Sequence, residues 1–479
     1  MNVRASVTAA AWAVLLAGCA VGPDYRRPAV EVPVAWVVEP PFRASTPGDA
    51  ADKGPWWRRF GDPTLDALEA QAIAASPTLA AASARLTQAQ AQVAGAEAGL
   101  LPSLGFAGRM ARLKISRDRP LTNYQSPNFS TVQDDFVTQL TVSYEFDLAG
   151  RVRRTIEGAR ASAEQSAADL QNTRLLLTAE LATDYYTLRE LDIELDVLSR
   201  SIALQRRSLE LATARHDLGA ASGLDVASQQ SLLDSTLTQV DVLRKQRSQF
   251  EHAVATLTGT PAPLFTLAPE VRVVSVPDIP IGVPSDVLER RPDVASAERA
   301  MAAANAQIGV ATAAFYPSIT LAPIYGVESV SLASLFNAPS LLWSLGVSLV
   351  QPVIDSGRLR ANVDLAQGGY DLAVANYRRV VLNAMQEAED GITGLSSLDR
   401  ATTQARVSTE SAKRVLDIAT SRYEGGVTTY LDVITAQVAL LNSQRLAAQL
   451  QGQQLLTSVF LIKALGGDWE GAPKQAAKL

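Results

Sequence analysis

The sequence predicts a mainly α protein with a small β portion suited to a membrane barrel, built twice over from one repeated unit. Three observations predict it. Two tracts of the 479-residue chain, 128–260 and 353–472, contain no proline, although even spacing would place roughly 13 of the 24 prolines there, and proline costs about 3 kcal/mol inside a helix. Four short stretches alternate apolar and polar residues with a period of two. Sequence motifs also recur at a fixed spacing, which marks a duplicated unit.

At the amino terminus Arg4 precedes an apolar stretch from Ala9 to Ala17. Leu16-Ala17-Gly18-Cys19 then sets small residues before the only cysteine of the chain. This predicts a bacterial lipoprotein signal over 1–18, with Cys19 the lipidated first residue of the mature protein, carrying acyl chains such as palmitate. Residue 20 is Ala, not the Asp of an inner-membrane retention mark, so the expected destination is the outer membrane. Residues 19–62, 259–291 and the tail 466–479 are irregular.

The first unit, 63–258, contains a helix, strands at about 103–112 and 138–148, and a long helical hairpin. In the second strand Leu140, Val142, Tyr144, Phe146 and Leu148 alternate with Gln139, Thr141, Ser143, Glu145 and Asp147. From Gly150 to Gly219 an uninterrupted helix would reach about 100 Å at 1.5 Å per residue. Within it Leu188, Leu191, Leu195, Leu198 and Ile202 step by three and four, the spacing of a seam packed against another helix. The second unit, 292–465, repeats the plan after the linker 259–291, with strands at about 318–327 and 342–352 and a second hairpin. Arg215-x-x-x-Gly219-x-x-x-x-Leu224-Asp225-Val226 returns 207 residues later as Arg422-x-x-x-Gly426-x-x-x-x-Leu431-Asp432-Val433. Pro102-Ser103-Leu104 returns 215 residues later as Pro317-Ser318-Ile319, the eight-residue difference marking a longer loop in the first half.

The uncharged runs 301–327 and 329–354 would be long enough for membrane helices, but Pro317, Pro323, Pro339 and Pro352 interrupt them. Barrel strands fit better. Four strands cannot close a barrel, and lipid does not tolerate an open sheet edge. The chain is therefore expected to pool strands with copies of itself: two chains would supply eight and three would supply twelve.

Composition excludes several classes. One Cys and two His exclude a disulfide scaffold and leave too few soft ligands for a metal site. His216 and His252 are too far apart in sequence to suggest a pair. The net charge of −6 argues against nucleic acid as a partner. No phosphate-binding or catalytic motif is found. The chain is thus expected not to be an enzyme and to carry no cofactor beyond the covalent lipid on Cys19.

Several segments carry a family resemblance: Gly18-Cys19-Ala20-Val21-Gly22-Pro23-Asp24-Tyr25, Trp56-Trp57-x-x-Phe60-x-Asp62-Pro63, Phe146-Asp147-Leu148-Ala149-Gly150-Arg151, Pro284-Ser285-Asp286-Val287-Leu288-Glu289-Arg290-Arg291-Pro292-Asp293, and Arg422-Tyr423-x-Gly425-Gly426. Together, over essentially the whole mature chain, they resemble the TolC-like outer membrane factor family, and within it the NodT/OprM-type efflux lipoproteins. Ala149 stands where many relatives carry Trp. The resemblance implies a homotrimeric α-barrel/β-barrel tunnel anchored in the outer membrane and reaching into the periplasm. It implies that the irregular segments 19–62, 259–291 and 466–479 make contacts near the equator of the molecule. It also implies docking to a periplasmic adaptor and, through it, to an inner-membrane pump of the resistance-nodulation-division type. The expected function is passive conduction of drugs or other small molecules; the alternative is an exit duct for an ABC-driven type I protein secretion system.

The duplicated motifs are the candidate site. Gly219 and Gly426 can take the left-handed conformation that ends a helix, and Asp225 and Asp432 then fall at the start of the returning helix, where a carboxylate caps exposed N–H groups. The resemblance makes these turns, with Arg215, Leu224, Arg422 and Leu431, the periplasmic tip that meets the adaptor. Asp217, Asp417 and Glu424 are candidates for an acidic aperture ring, with Arg215 and Arg422 as compensating charges.

Overall fold

The computed structural model describes residues 20–28, 54–116, 131–272, 274–279 and 290–467. Cys19, the signal segment, the Pro284–Glu289 stretch and the tail beyond residue 467 lie outside the described residues. Seven α-helices and six strand segments follow in the order α1 Pro63–Ala75, α2 Pro77–Ala98, β1 Ser103–Ile115, β2 Thr131–Phe146, α3 Arg151–Asp217, α4 Gly223–Leu257, α5 Pro292–Ala313, β3 Ser318–Leu321, β4 Ile324–Ser329, β5 Leu341–Ser344, β6 Val347–Val350, α6 Arg358–Glu424 and α7 Tyr430–Ala464. The proline-free tracts are helical as expected. α3 and α6 are each 67 residues long, and α4 and α7 are each 35. Among the described residues no helix is long and apolar enough to cross a membrane.

Carboxylates start the long helices. The Asp147 carboxylate accepts the backbone N–H groups of Val152 and Arg153, both at 3.0 Å, and Asp355 accepts that of Leu359 at 2.8 Å. Each satisfies donors that have no partner within the helix.

The described chain forms two units. The first takes in the described residues of Met1–Pro28, Arg85–Ser166 and Ala297–Tyr377, and its centre is an antiparallel sheet. β1 pairs with β2 along its whole length, from Ser103 opposite Ser143 to Ile115 opposite Thr131. β2 pairs with both β3 and β4, β3 with β6, and β4 with β5. Residues directly opposite share a face, so the register sorts the side chains. Leu104, Phe106, Met110, Phe136, Leu140, Tyr325, Trp343 and Leu349 lie on one face, while Ser103, Arg109, Gln139, Ser143, Thr320 and Ser348 lie on the other.

The strand limits differ from the sequence expectation in three ways. The first strand runs on to Ile115, because Arg112 and Lys114 continue the ladder although they break the apolar alternation. The second begins at Thr131 and stops at Phe146, since Asp147 is taken up as the cap of α3 and Leu148 turns back on Phe146. The two second-half strands are each broken in the middle. Pro323 has no N–H to give the ladder; its carbonyl still accepts from Val142, and the neighbouring Ala322 N–H reaches Gly346, where the facing strand is interrupted too. The register is the same on both sides of the break.

Residues 20–28 sit against the junction of β2 and α3. The Val21 N–H bonds to the Ala149 carbonyl, and a Cβ on Gly150 would come within 2.6 Å of the Ala20 Cα, so only glycine admits this segment there. Arg154, almost fully buried, donates to the Val21 and Gly22 carbonyls, to Asp24 and to Glu157. The irregular segment 19–62 therefore does not act as one element: Trp56, Trp57 and Phe60 belong to the core of the other unit.

The second unit takes in the described residues of Ala29–Ala84, Ala167–Ser296 and Arg378–Leu479. Its main core joins those three aromatics to Leu65, Leu181, Tyr185, Tyr186, Ile392 and Leu461. The seam read from sequence is real: Leu191, Leu198 and Ile202 are buried with Leu233, Val240 and Leu441, and Leu195 packs against them. Buried charge is paired. Asp62 accepts the Thr64 and Leu65 N–H groups and the Tyr185 hydroxyl, and Arg272 lies 3.3 Å from it. Asp192 accepts from Arg189, Arg247 and the Glu270 N–H. Arg291 of the family-like motif pairs with Asp293 and Glu387, which makes it a structural ion pair.

Glu69 on α1 is the exception. It is wholly buried, and among the described residues neither of its carboxylate oxygens has a partner. Burial, with repulsion from Asp66 added, pushes its pKa up to about 9. A folded-state pKa above the unfolded value of an acid means that stability is lost as pH rises from the ordinary carboxylate range through about 9. Glu69→Gln should therefore stabilise the protein at pH 8 by more than about 1 kcal/mol, because each tenfold difference in proton affinity between the folded and unfolded chain is about 1.4 kcal/mol. The gain should vanish near pH 4, as read by denaturant unfolding at the two pH values.

Candidate functional site

Both duplicated motifs lie in the second unit, where α3 turns into α4 and α6 into α7. The two turns end their helices in the same way. Gly219 has φ 74° and Gly426 φ 73°. In the first turn the Gly219 N–H reaches the His216 carbonyl and the Ala220 N–H the Arg215 carbonyl, both at 2.8 Å; in the second, Gly426 reaches Tyr423 and Val427 reaches Arg422. This crossed pair of bonds closes the last helical carbonyls and requires the left-handed residue that glycine supplies.

The returning helices are capped less symmetrically. The Asp225 carboxylate accepts the Ser222 N–H at 3.2 Å while the Ser222 hydroxyl accepts the Leu224 N–H at 3.1 Å, a reciprocal box. Asp432 occupies the matching place in the first turn of α7 but accepts from the Thr428 hydroxyl, and Thr429 makes no side-chain cap. His216 Nδ1 donates to the Ala221 carbonyl within the first turn, a local role. His252 is exposed.

Asp217, Asp417 and Glu424 are exposed, as an aperture ring would need. The expected compensation is not found within the chain: among the described residues no ion pair joins Arg215 or Arg422 to any of the three. Arg215 lies over the Tyr423 ring instead, 4.7 Å from its centroid, because the ring face offers a cation an attractive site that needs no carboxylate. Arg422 is exposed.

Sequence reading missed the contacts that tie the two hairpins together. Tyr423 packs against Tyr430 with centroids 4.9 Å apart and ring planes tilted by 55°. The Tyr430 hydroxyl donates toward Gln229 Oε1 at 3.0 Å and the Ser208 carbonyl at 3.3 Å, and Gln437 Nε2 donates to the Ser208 hydroxyl at 2.9 Å. Gln229, fully buried, donates to the Gln205 carbonyl. Farther along, Arg445 of α7 pairs with the buried Glu194 of α3 and donates to Gln239 of α4. The available signal was Tyr423 and Tyr430 flanking the second glycine turn. The apolar side chains exposed at the two turns are Leu218, 83% exposed, Leu224, Val427 and Leu431; Leu218 and Val427 were also missed, since one apolar residue in a turn has no periodicity.

The tip holds no catalytic constellation, and among the described residues no cluster of His, Cys, Asp or Glu could hold a metal ion. It offers two capped, closely tied turns with apolar ends, an arrangement suited to contact with another protein.

Comparison with known proteins agrees with the family resemblance carried by the motifs. The chain is 32% identical over 458 residues to "Pyoverdine export outer membrane protein OpmQ" of Pseudomonas aeruginosa, covering 95% of both chains. It is 30% identical over 472 residues to "Toluene efflux pump outer membrane protein TtgF" of Pseudomonas putida, covering 97% of each. Its fold matches the outer-membrane channel OprN with a TM-score of 0.86 at 28% identity, over 94% of this chain and all of that one. The profile of the family described as "Outer membrane efflux protein" matches twice, over residues 68–260 and 283–467, and the chain belongs to that family.

Proposed function

We propose that this protein is the outer-membrane exit duct of a tripartite efflux system, conducting drugs or other small molecules passively. One observation carries the reading: the sheet presents one continuous exposed apolar face, while the same chain carries two 67-residue helices that end in capped, apolar-tipped turns. A membrane strand needs the first and a periplasmic stave the second. OpmQ is named for pyoverdine export and TtgF for toluene efflux, both small molecules, and on that basis the cargo assigned here is of the same class. Among the described residues no metal-binding cluster is found, and no enzymatic step is assigned.

The sheet sets the assembly. With collinear β3–β4 and β5–β6 counted as one strand each, a chain brings four strands. Its outer edges cannot face lipid unpaired; closure by itself admits two copies or three, and the family resemblance implies three, so a twelve-stranded barrel is the assembly we infer. The equal helix lengths and the two family matches support an internal two-fold repeat. The tips formed by Arg215, Gly219, Leu224, Asp225, Arg422, Gly426, Leu431 and Asp432 are assigned to the periplasmic adaptor, and through it to an inner-membrane pump. Asp217, Asp417 and Glu424, repeated round a three-fold axis, would line the aperture. Ala20 is seated at Gly150, and Cys19, outside the described residues, is assigned the acyl chains that add a lipid anchor.

Light scattering on the detergent-extracted protein tests the assembly. Three chains per particle are expected, and a monomer or dimer would remove the twelve-stranded barrel. Gly426→Val forces a β-branched residue into the left-handed conformation. It should weaken adaptor binding about tenfold or more while vesicle insertion is unchanged; equal loss of both would reduce the turn to a folding element. Cys19→Ser should abolish acylation yet leave protein in the outer-membrane fraction, and full release into the periplasm would contradict the barrel.

A further inference from the structure

The apolar face of the sheet ends at a sharp boundary. On β2 it runs from Phe146 to Phe136, ten steps of about 3.4 Å, or about 26 Å of height at a tilt near 40°, which matches the roughly 25 Å apolar band of outer-membrane barrels. The next pair outward is Arg112 opposite Asp134, and the one after it Lys114 opposite Val132. Arg112, Lys114 and Asp134 are the only charged residues on this face among the described strands. They lie at the end of the sheet away from the helices, since α2 leads into β1 at Ser103 and β2 leads into α3 from Phe146.

Both basic side chains are free to act outward. The Arg112 side chain is 76% exposed, and its 3.9 Å approach to Asp134 is a loose surface pair, of a kind that contributes little. Lys114 is exposed, and no partner is found for it among the described residues. Arg109, by contrast, points to the opposite face and is paired with Asp135. The guanidinium of Arg112 can hold two oxygens of a phosphate and the Lys114 ammonium can add a point charge. Val132, exposed beside Lys114, offers apolar contact next to the charges.

We propose that Arg112 and Lys114 bind the phosphate of an outer-leaflet lipid whose acyl chains lie along Phe106, Met110 and Phe136. The inference rests on the reading of the sheet as a membrane barrel, which sets this end in the outer leaflet. A row of like residues at the level of an anionic headgroup would fix the depth of the barrel and gather phosphorylated glycolipid around it.

The test uses the full protein in phosphatidylcholine vesicles, with binding of bisphosphorylated lipid A, of the same lipid stripped of phosphate, and of inorganic phosphate measured separately. Wild type should prefer the phosphorylated lipid. Arg112→Gln with Lys114→Gln should weaken that binding about 25-fold, some fivefold for each charge removed, while Arg112→Lys keeps most of it. Should the double variant fail to insert, each single variant reads its own fivefold loss. An unchanged affinity in the variants, no preference for phosphate in the wild type, or equal binding of free phosphate would each overturn the proposal and leave the duct intact. Failure of the wild type to insert at all would overturn the barrel reading together with it.

Discussion

The unsatisfied edges of the β-sheet constrain the chain more than any single contact. β1 is bonded on one side only, and β5 and β6 close the other side of the described sheet. Every strand carries backbone donors and acceptors along its length, and an apolar surround gives an edge no water to bond. In the proposed barrel, the sheet is completed by further copies of the chain. The break at Pro323 shows how tightly the ladder is otherwise kept: the missing N–H is matched by a facing interruption at Gly346, and the register resumes unchanged.

The helical part meets the opposite problem. Helices of 67 residues cannot be held by one compact core, and their burial is divided among separate clusters about Tyr185, Leu198 and Tyr430. Polar residues pin the clusters in place. Asp62, Asp192 and Arg291 are buried with several partners each, the condition under which buried charge is tolerated. Glu69 lacks such partners and is kept neutral instead. At the tip, neutral hydrogen bonds through Tyr430, Gln229 and Gln437 connect the hairpins, so the join there is made without the ion pairs that sequence suggested.

Local rules were readable because they act within a few residues. Proline-free tracts, the glycine that ends each long helix, and the cap at Asp225 all follow from backbone chemistry that the sequence displays directly. The tip was located for the same reason, by two matching motifs. What reading missed there, the Tyr423–Tyr430 contact and the turn of Arg215 onto a ring in place of a carboxylate, joins residues from different helices, and no periodicity encodes such pairs.

The sequence by itself determined the helical tracts, the alternation that gives the sheet two faces, the duplicated turns and the family. These depend on periods of 2 and 3.6 residues and on the fixed conformational preferences of glycine and proline. Only the tertiary structure decided the strand limits, the seating of residues 20–28 on Gly150, the pairing partners of the buried charges and the register that sets Arg112 and Lys114 just beyond the apolar band. Each of these is fixed by which distant segments come into contact, and such contact is settled by packing, not by local propensity.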